Sequence, residues 1–158
     1  MKKIVVISDT HGNFSCIEKL LGIMKESDYI FHLGDFEKDI LEYKKELSNK
    51  IISVKGNCDG GGDYALVNIE NIKILLVHGD GYSVKNGVDR LYYLAKELQV
   101  NAVLYGHTHN AIIEKIDDIW FVNPGCMSSY TQNSYCYIVV HEDKFVAKIV
   151  YLNSVGVR

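Results

Sequence analysis

The chain has 158 residues and a formal net charge of −3, and it is 47% hydrophobic and 23% charged. This is the size and composition of a soluble globular protein, and we expect a single domain over residues 1–158. The low charge argues against an extended nucleic-acid surface, and no apolar run is long enough for a membrane helix. The first apolar run stops at Ser8, too early for a signal peptide, so we expect a cytoplasmic protein with reduced cysteines.

Strands and helices alternate in the first third of the chain. Residues 3–7 form an apolar run typical of a buried strand, and the spacing of apolar residues predicts a helix over 14–25. A second strand at 29–33, a polar helix over 37–47 and a third strand at 51–54 follow. This βαβαβ order predicts a parallel sheet with right-handed crossovers.

The rest of the chain is richer in strands. Residues 64–69 and 73–77 flank the turn Glu70-Asn71 as a hairpin, and a helix is predicted over 87–98. Further strands are predicted at 102–105, 111–116, 120–122, 135–140 and 145–152. A parallel front half followed by a hairpin-rich back half favours two packed sheets with helices outside them.

Acidic, amide and imidazole side chains follow five of these strands, where open α/β sheets bind their ligands. The five turns are Asp9-Thr10-His11, Gly34-Asp35, Gly56-Asn57-Cys58-Asp59, His78-Gly79-Asp80 and Gly106-His107-Thr108-His109. Such side chains bind divalent first-row metal ions. The seven candidate ligands are Asp9, His11, Asp35, Asn57, His78, His107 and His109. Seven are too many for one tetrahedral zinc and suit two ions that share a carboxylate.

In this order, the five turns match the signature blocks of the calcineurin-like metallophosphoesterase superfamily. Residues 56–59 and 123–125 resemble its small single-domain phosphodiesterase branch in bacteria and archaea. The resemblance implies an α/β fold, a four-layer α/β/β/α sandwich of two packed mixed sheets with helices outside. It also implies hydrolysis of phosphodiester bonds by a hydroxide that bridges two metal ions.

The same resemblance implies a role for each candidate ligand. Asp9, His11 and His109 are assigned to the first ion, Asn57, His78 and His107 to the second, and Asp35 to both as the bridge. Asn57, His78 and Asp35 are also counted as catalytic, because they act through the metal-bound hydroxide. Mixed nitrogen and oxygen ligation suits Mn²⁺, our choice, and also Zn²⁺, Fe, Ni²⁺ and Co²⁺.

Two positions depart from the superfamily pattern. Cys58 stands where many members have a histidine that assists the leaving group, and a neutral thiol is a poorer proton donor. We therefore expect diesters to be preferred over monoesters, with Cys58 either a substrate contact or an inert small residue. Asp80 replaces another usual histidine, and either orients a neighbouring group or caps its loop.

Other residues near the turns keep simpler interpretations. His32 is predicted to be a core or supporting residue, Asn123 either a plain turn or a support for the metal site, and residues 60–62 a flexible loop more than a lid. Tyrosines in the last strands suggest half-buried packing or a homo-oligomer contact. These tyrosines are Tyr130, Tyr135, Tyr137 and Tyr151.

Three functions remain open at this point. The leading hypothesis is an enzyme acting on a small phosphodiester substrate. The first alternative is a phosphomonoesterase or nucleotide hydrolase that uses the same site. The second is a non-catalytic interaction scaffold, because a retromer subunit resembles this fold with an altered metal site. All seven candidate positions keep ligand-type side chains, which argues against the scaffold.

Overall fold

The computed structural model describes residues 1–60 and 64–152. Its strands are β1 Lys2–Ile7, β2 Tyr29–His32, β3 Ile51–Ser53, β4 Tyr64–Ile69, β5 Ile72–Val77, β6 Ala102–Tyr105, β7 Ile112–Ile116, β8 Ile119–Asn123, β9 Asn133–His141 and β10 Lys144–Leu152. Its α-helices are α1 Phe14–Glu26, α2 Lys38–Leu41, α3 Lys44–Leu47 and α4 Asp89–Leu98. The loop predicted at 60–62 lies mostly outside the described residues.

The strands form two five-stranded mixed sheets. The first sheet has the order β10-β9-β1-β2-β3, and the second has the order β4-β5-β6-β8-β7. Strands β1, β2 and β3 run parallel, as do β5, β6 and β8, while hairpin partners run antiparallel. This arrangement confirms the predicted pair of mixed sheets, and each predicted strand lies within two residues of its expected bounds.

The residues of β1 explain why its sequence is a continuous apolar run. Ile4 and Val6 face the second sheet, in a core that also contains Phe31 and Leu104. Val5 and Ile7 face the opposite way and pack under α1. Because both faces of the strand are covered, neither face tolerates polar residues.

The helices cover the outer faces of the two sheets. Helix α1 packs on the first sheet through Ile17, Leu20 and Met24, which are all buried. Helix α4 packs on the second sheet through Leu91 and Ala95. The layers are therefore helix, sheet, sheet and helix, as predicted.

The prediction of one helix over 37–47 is wrong. The segment forms two short helices, α2 and α3, separated at Tyr43, whose φ of −102° and ψ of 17° depart from helical values. Only Ile40 and Leu47 reach the apolar core from these helices. Asp39 is also buried, but it accepts hydrogen bonds from the turn at Thr10 and Gly12. A segment with so few apolar anchors has no continuous stripe to hold one helix against the sheet.

The parallel strands bring their carboxyl ends to one edge of the molecule. Ile7 pairs with His32 in the first sheet, and Val77 pairs with Tyr105 in the second, so neighbouring strands end side by side. The turns then touch through their backbones, since Asp9 N–H donates to Gly34 O at 2.9 Å and Gly106 N–H donates to His78 O at 3.0 Å. Four of the five predicted turns meet through these contacts. No helix among the described residues is long and apolar enough to cross a membrane.

Helix α4 offers a test of the packing on the second sheet. Replacing the fully buried Leu91 by alanine leaves a cavity against the sheet and should lower the free energy of unfolding by about 2–5 kcal/mol. Tyr93→Ala in the same helix removes a side chain that is 70% exposed and should change it by less than about 0.5 kcal/mol. Urea unfolding followed by circular dichroism measures both, and equal effects would contradict the assigned face.

Candidate metal centre

Six of the seven candidate ligands lie in two clusters. Group 1 consists of Asp9, His11 and His109, and group 2 consists of Asp35, His78 and His107; within each group the ligand atoms lie within 4.8 Å of one another. Each group takes residues from both sheets. The sequence predicted this grouping only through the resemblance, because the six residues are spread over 101 positions, from Asp9 to His109.

The Asp35 carboxylate lies between the two groups. Its Oδ2 atom is 3.6 Å from His11 Nε2, in group 1, and 3.4 Å from His78 Nε2, in group 2. Its Oδ1 atom accepts a hydrogen bond from the backbone N–H of Cys58 at 2.9 Å. One oxygen is thus fixed by the protein while the other faces both groups.

Asp9 supplies a buried carboxylate oxygen that has an ion-pair contact with His109 but no hydrogen bond of good geometry. The residue is fully buried, and its Oδ2 atom accepts hydrogen bonds from Ser8 Oγ at 2.6 Å and from the backbone N–H of His107 at 3.2 Å. Among the described residues, its Oδ1 atom is the one buried side-chain nitrogen or oxygen without a hydrogen bond. A buried carboxylate oxygen is costly to leave unpaired. A cation bound between Asp9 and its neighbours would satisfy it.

The charge state of Asp9 also suits a cation. Burial by itself raises the pKa of this carboxyl, but the imidazole of His109, the Ser8 hydroxyl and the nearby His78 outweigh it and hold the pKa below its usual value. His109 Nε2 lies 3.3 Å from Asp9 Oδ1, and this contact with Asp9 raises the pKa of His109. Asp9 is therefore an anion at neutral pH and a suitable ligand for a divalent ion.

His78 has a tautomer fixed by the backbone. Its Nδ1 atom lies 2.8 Å from the carbonyl oxygen of Leu33, so Nδ1–H donates there and Nε2 keeps a lone pair. That Nε2 faces Asp35 and lies 3.2 Å from His107 Nδ1. A backbone carbonyl that orients an imidazole in this way is a common support for metal-binding histidines.

Asn57 and Cys58 lie at the edge of group 2. Asn57 follows Gly56, whose backbone lies against Asp35 and His78, and it starts a short 3₁₀ turn at Asn57–Asp59. Cys58 is exposed, and desolvation together with the Asp35 carboxylate raises the pKa of its thiol. A thiol that stays protonated at neutral pH fits the interpretation of Cys58 as a neutral group beside the substrate.

The backbone of the candidate ligands is unusual. Five of the seven have a positive φ: Asp9 at 55°, His11 at 44°, Asp35 at 64°, His107 at 70° and His109 at 65°. Residues other than glycine adopt this region at a cost and concentrate there at functional sites. The side chains of these five residues gather in groups 1 and 2, and no sequence pattern reveals the backbone conformation that they adopt.

Glycines let the turns approach one another closely. A Cβ added at Gly56 would lie 2.5 Å from Asp35 N and 2.9 Å from His78 Nδ1. One added at Gly34 would lie 2.6 Å from Gly56 N, and one at Gly106 would collide with Ser8 Oγ. These positions need glycine because atoms of a neighbouring turn, backbone at Gly34 and Gly56 and side chain at Gly106, occupy the space of a Cβ.

Two acidic residues outside the seven candidate ligands hold the turns together. Asp39 in α2 is buried and accepts hydrogen bonds from Thr10 Oγ1 at 2.7 Å and from Gly12 N–H at 2.6 Å, on either side of His11. Asp59 accepts from Phe36 N–H at 2.8 Å and from Gly56 N–H at 3.1 Å. Neither residue is part of groups 1 and 2. Their place in a polar helix and a turn gave no sign of these contacts or of the burial of Asp39.

His32 and Asn123 both support the turns, which was one of the two interpretations predicted for each. His32 Nδ1 accepts from Gly34 N–H at 3.1 Å, so its Nε2 bears the proton and donates to Thr10 Oγ1 at 3.0 Å. Complete burial lowers the pKa of His32 to about 4. Asn123 Nδ2 donates to Thr108 Oγ1 at 2.9 Å and to Gly106 O at 3.1 Å, and so fixes the turn with His107 and His109.

Comparison with known proteins identifies the family. The family model of the calcineurin-like phosphoesterase superfamily domain matches residues 1–144. The chain belongs to this superfamily. Its relatives include the probable metallophosphoesterase YsnB of Bacillus subtilis, which is 35% identical over 77% of this chain and 73% of YsnB. The resemblance predicted from the five turns is therefore confirmed, and metallophosphoesterases of this superfamily use divalent metal ions.

Two further matches bear on function and fold. The phosphodiesterase MJ0936 of Methanocaldococcus jannaschii is 29% identical over 81% of this chain and 86% of MJ0936. A Vps29 structure from Entamoeba histolytica superposes with a TM-score of 0.77 at 20% identity, over 96% of this chain and 99% of that one. At this identity the Vps29 match shows the superfamily fold alone.

The close approach at Gly56 can be tested without changing a candidate ligand. Gly56→Ala should weaken metal binding and lower the free energy of unfolding by about 1–3 kcal/mol, because its Cβ displaces Asp35 and His78. Gly22→Ala in α1 meets no atom within 4 Å and should raise stability by about 0.5–1 kcal/mol. Calorimetric Mn²⁺ titration and urea unfolding compare the two, and unchanged metal affinity in Gly56→Ala would contradict the expectation.

His32 should make stability depend on pH. An unfolded chain protonates this histidine below its ordinary pKa of 6.5, whereas the folded protein resists protonation until about pH 4. The unfolded state therefore binds more protons as the pH falls through this window. The free energy of unfolding decreases by up to about 3 kcal/mol as a result. His32→Gln should lack this part of the pH dependence. Urea unfolding at pH 7 and pH 4 measures it, and identical pH dependence in both proteins is the contrary result.

Proposed function

We propose that this protein is a phosphodiesterase with two divalent metal ions at the edge where the sheets meet. The proposed ligands are Asp9, His11 and His109 for the first ion, Asn57, His78 and His107 for the second, and Asp35 for both. The observation that supports this most is the position of Asp35 Oδ2, within 3.6 Å of one group and 3.4 Å of the other. A carboxylate oxygen between two groups of ligands is the arrangement that a bridged pair of ions needs.

The donor set suits the metals proposed from the sequence. Imidazole, carboxylate and amide ligands accept several first-row ions, and we keep Mn²⁺ as the proposal. The unpaired Oδ1 of Asp9 and the fixed tautomer of His78 are observations of this chain that fit a metal ion. When bound, two such ions would stabilise charge on the phosphate and lower the pKa of water toward about 7.

The residues around the centre define how a substrate reaches it. Asp9 and His78 are buried, whereas the side chains of His11 and His109 are 28% and 44% exposed. A phosphate group can therefore approach from the side of His11 and His109. Asp9 and Asp35 are buried on the inner side, where they would hold the cations without facing the phosphate oxygens.

Two features favour diesters over monoesters. Cys58 offers a thiol, whose pKa is raised by desolvation and by the Asp35 carboxylate, and a thiol cannot match an imidazolium as proton donor to a departing alcohol. Clefts also border the centre at two places, one of about 450 Å³ beside Thr108 and one of about 370 Å³ beside Cys58. A phosphodiester has two organic groups to place, whereas a monoester has one.

The alternatives remain distinguishable. A phosphomonoesterase or nucleotide hydrolase would use the same ligands but needs help for the leaving group, which Cys58 supplies poorly. The second alternative is a non-catalytic scaffold with the fold that this chain shares with Vps29. Such a scaffold would not need a buried carboxylate oxygen without a hydrogen bond, or ligand turns at positive φ. The retained ligand set therefore favours the enzyme.

Metal-dependent hydrolysis is the direct test. The metal-free protein should be inactive toward bis(p-nitrophenyl) phosphate and should regain activity with Mn²⁺, with lower activity on p-nitrophenyl phosphate. Asp35→Ala should reduce the restored rate at least about 100-fold, since both ions lose a ligand. Asp143→Ala, which removes an exposed carboxylate at the turn between β9 and β10, should leave it unchanged.

The outcomes separate the hypotheses. Faster turnover of the monoester than of the diester would support the phosphomonoesterase. Absence of hydrolysis with Mn²⁺, Zn²⁺, Co²⁺, Ni²⁺ or Fe²⁺, in a protein that still unfolds cooperatively, would support the scaffold. Equal rates in the Asp35 and Asp143 variants would remove the bridging role from Asp35.

A further inference from the structure

Resting on the proposed function, we propose that the larger cleft binds one organic group of the phosphodiester and selects an uncharged one. Here the larger cleft means the space between residues 84–88, before α4, and residues 105–114, around the start of β7. In this assignment Lys85 attracts the phosphate, Ile112 contacts the organic group, and Glu114 excludes a second anionic group.

The position of the cleft connects it to the metal centre. Thr108 lines the cleft and lies between His107 and His109, one from each ligand group. The cleft volume of about 450 Å³ is within the range of about 300–1,000 Å³ that is usual for small-molecule sites. A phosphate at the exposed His109 would therefore have its substituent at the mouth of this cleft.

The lining defines the chemistry of the group that fits. Val84, Val88, Tyr105 and Ile112 give the cleft apolar walls, and Asn110 adds an amide. Thr108 Oγ1 already accepts from Asn110 N–H at 3.2 Å and from Asn123 at 2.9 Å, so its own O–H is left to donate. An apolar ring system with hydrogen-bond acceptors, as in a nucleoside, matches these walls.

Lys85 places a positive charge at the metal end of the cleft. Its side chain is exposed and lines the cleft together with Thr108, and its charge acts on both His107 and His109, the two histidines of that turn. Lys85 is neither in group 1 nor in group 2. A flexible ammonium at this point can reach a phosphate oxygen that faces away from the candidate ligands.

Glu114 places a negative charge deeper in the cleft. Ile112 pairs with Asn123, next to the metal centre, and Glu114 follows two residues further along β7, which is roughly 7 Å in a strand. Glu114 is half-buried, and it lies near Tyr105, whose pKa burial raises to about 12. Along the cleft, the Lys85 ammonium beside the phosphate is followed by the neutral Tyr105 phenol and the Glu114 carboxylate. Glu114 would repel a second phosphate on the organic group.

Two esters that release the same product test the apolar wall. The p-nitrophenyl esters of thymidine 5′-phosphate and of methyl phosphate differ only in the group assigned to the cleft. Ile112→Trp should lower kcat/KM for the thymidine ester about tenfold and change that for the methyl ester less than about twofold. Leu66→Trp is the matched control, because Leu66 is 41% exposed and Ile112 is 40% exposed.

Charge variants test the two ends independently of that bulky change. Lys85→Met should lower kcat/KM for both esters about tenfold, whereas Lys96→Met, at an exposed lysine of α4, should not. Glu114→Gln should raise the relative kcat/KM for a thymidine ester with an additional 3′-phosphate about fivefold. Equal changes for charged and uncharged esters in Glu114→Gln would overturn its assigned role.

A binding measurement separates failure of this assignment from failure of the proposed function. Thymidine 5′-methylphosphonate is titrated calorimetrically into the Mn²⁺-loaded protein, and Ile112→Trp should weaken binding about tenfold. If the methyl ester is hydrolysed but Ile112→Trp leaves both the ester preference and phosphonate binding unchanged, the cleft assignment is wrong and the phosphodiesterase stands. If neither ester is hydrolysed and the phosphonate does not bind, both fail.

Discussion

The two sheets are joined at the site by polar contacts between their strand-end turns. His107 N–H, from the second sheet, donates to Asp9 Oδ2 in the first, and His78 Nδ1–H donates to Leu33 O. Apolar packing between sheets sets a distance but is non-directional. These hydrogen bonds fix how the turns face each other. Both groups of candidate ligands depend on this, because each takes side chains from both sheets.

Such an arrangement is unfavourable without a cation. It concentrates the Asp9 and Asp35 carboxylates in a small space, leaves Asp9 Oδ1 unpaired and holds five candidate ligands at positive φ. Each of these features costs free energy. Asp39 and Asp59 offset part of that cost, since their carboxylates take up backbone N–H groups that the turns expose. The polar framework therefore maintains a geometry that apolar packing alone would not select.

The sequence was informative where a local pattern determines structure. Alternating apolar segments predicted the strands, and the position of ligand-type residues directly after them predicted the functional edge. The break between α2 and α3 was missed because the segment has few apolar anchors, and its buried Asp39 is instead held by a hydrogen bond from Gly12, 27 residues earlier. The close approach of Gly56 to Asp35 and His78 was hidden for the same reason. A pattern along the chain does not report which distant turn occupies the neighbouring space.

The residues around the centre fall into two sets: buried residues that hold its turns and exposed residues that line the cleft. On the inner side, His32, Asn123 and Asp39 hold turns through buried hydrogen bonds, so a substitution there disturbs several candidate ligands together. On the outer side, Lys85 and Ile112 are exposed, line the cleft and belong to neither ligand group. In the proposed enzyme, substitutions at such positions would alter the group that binds without moving the candidate ligands. Selectivity for one ester over another would therefore come from the cleft, and the capacity to bind metal from the turns.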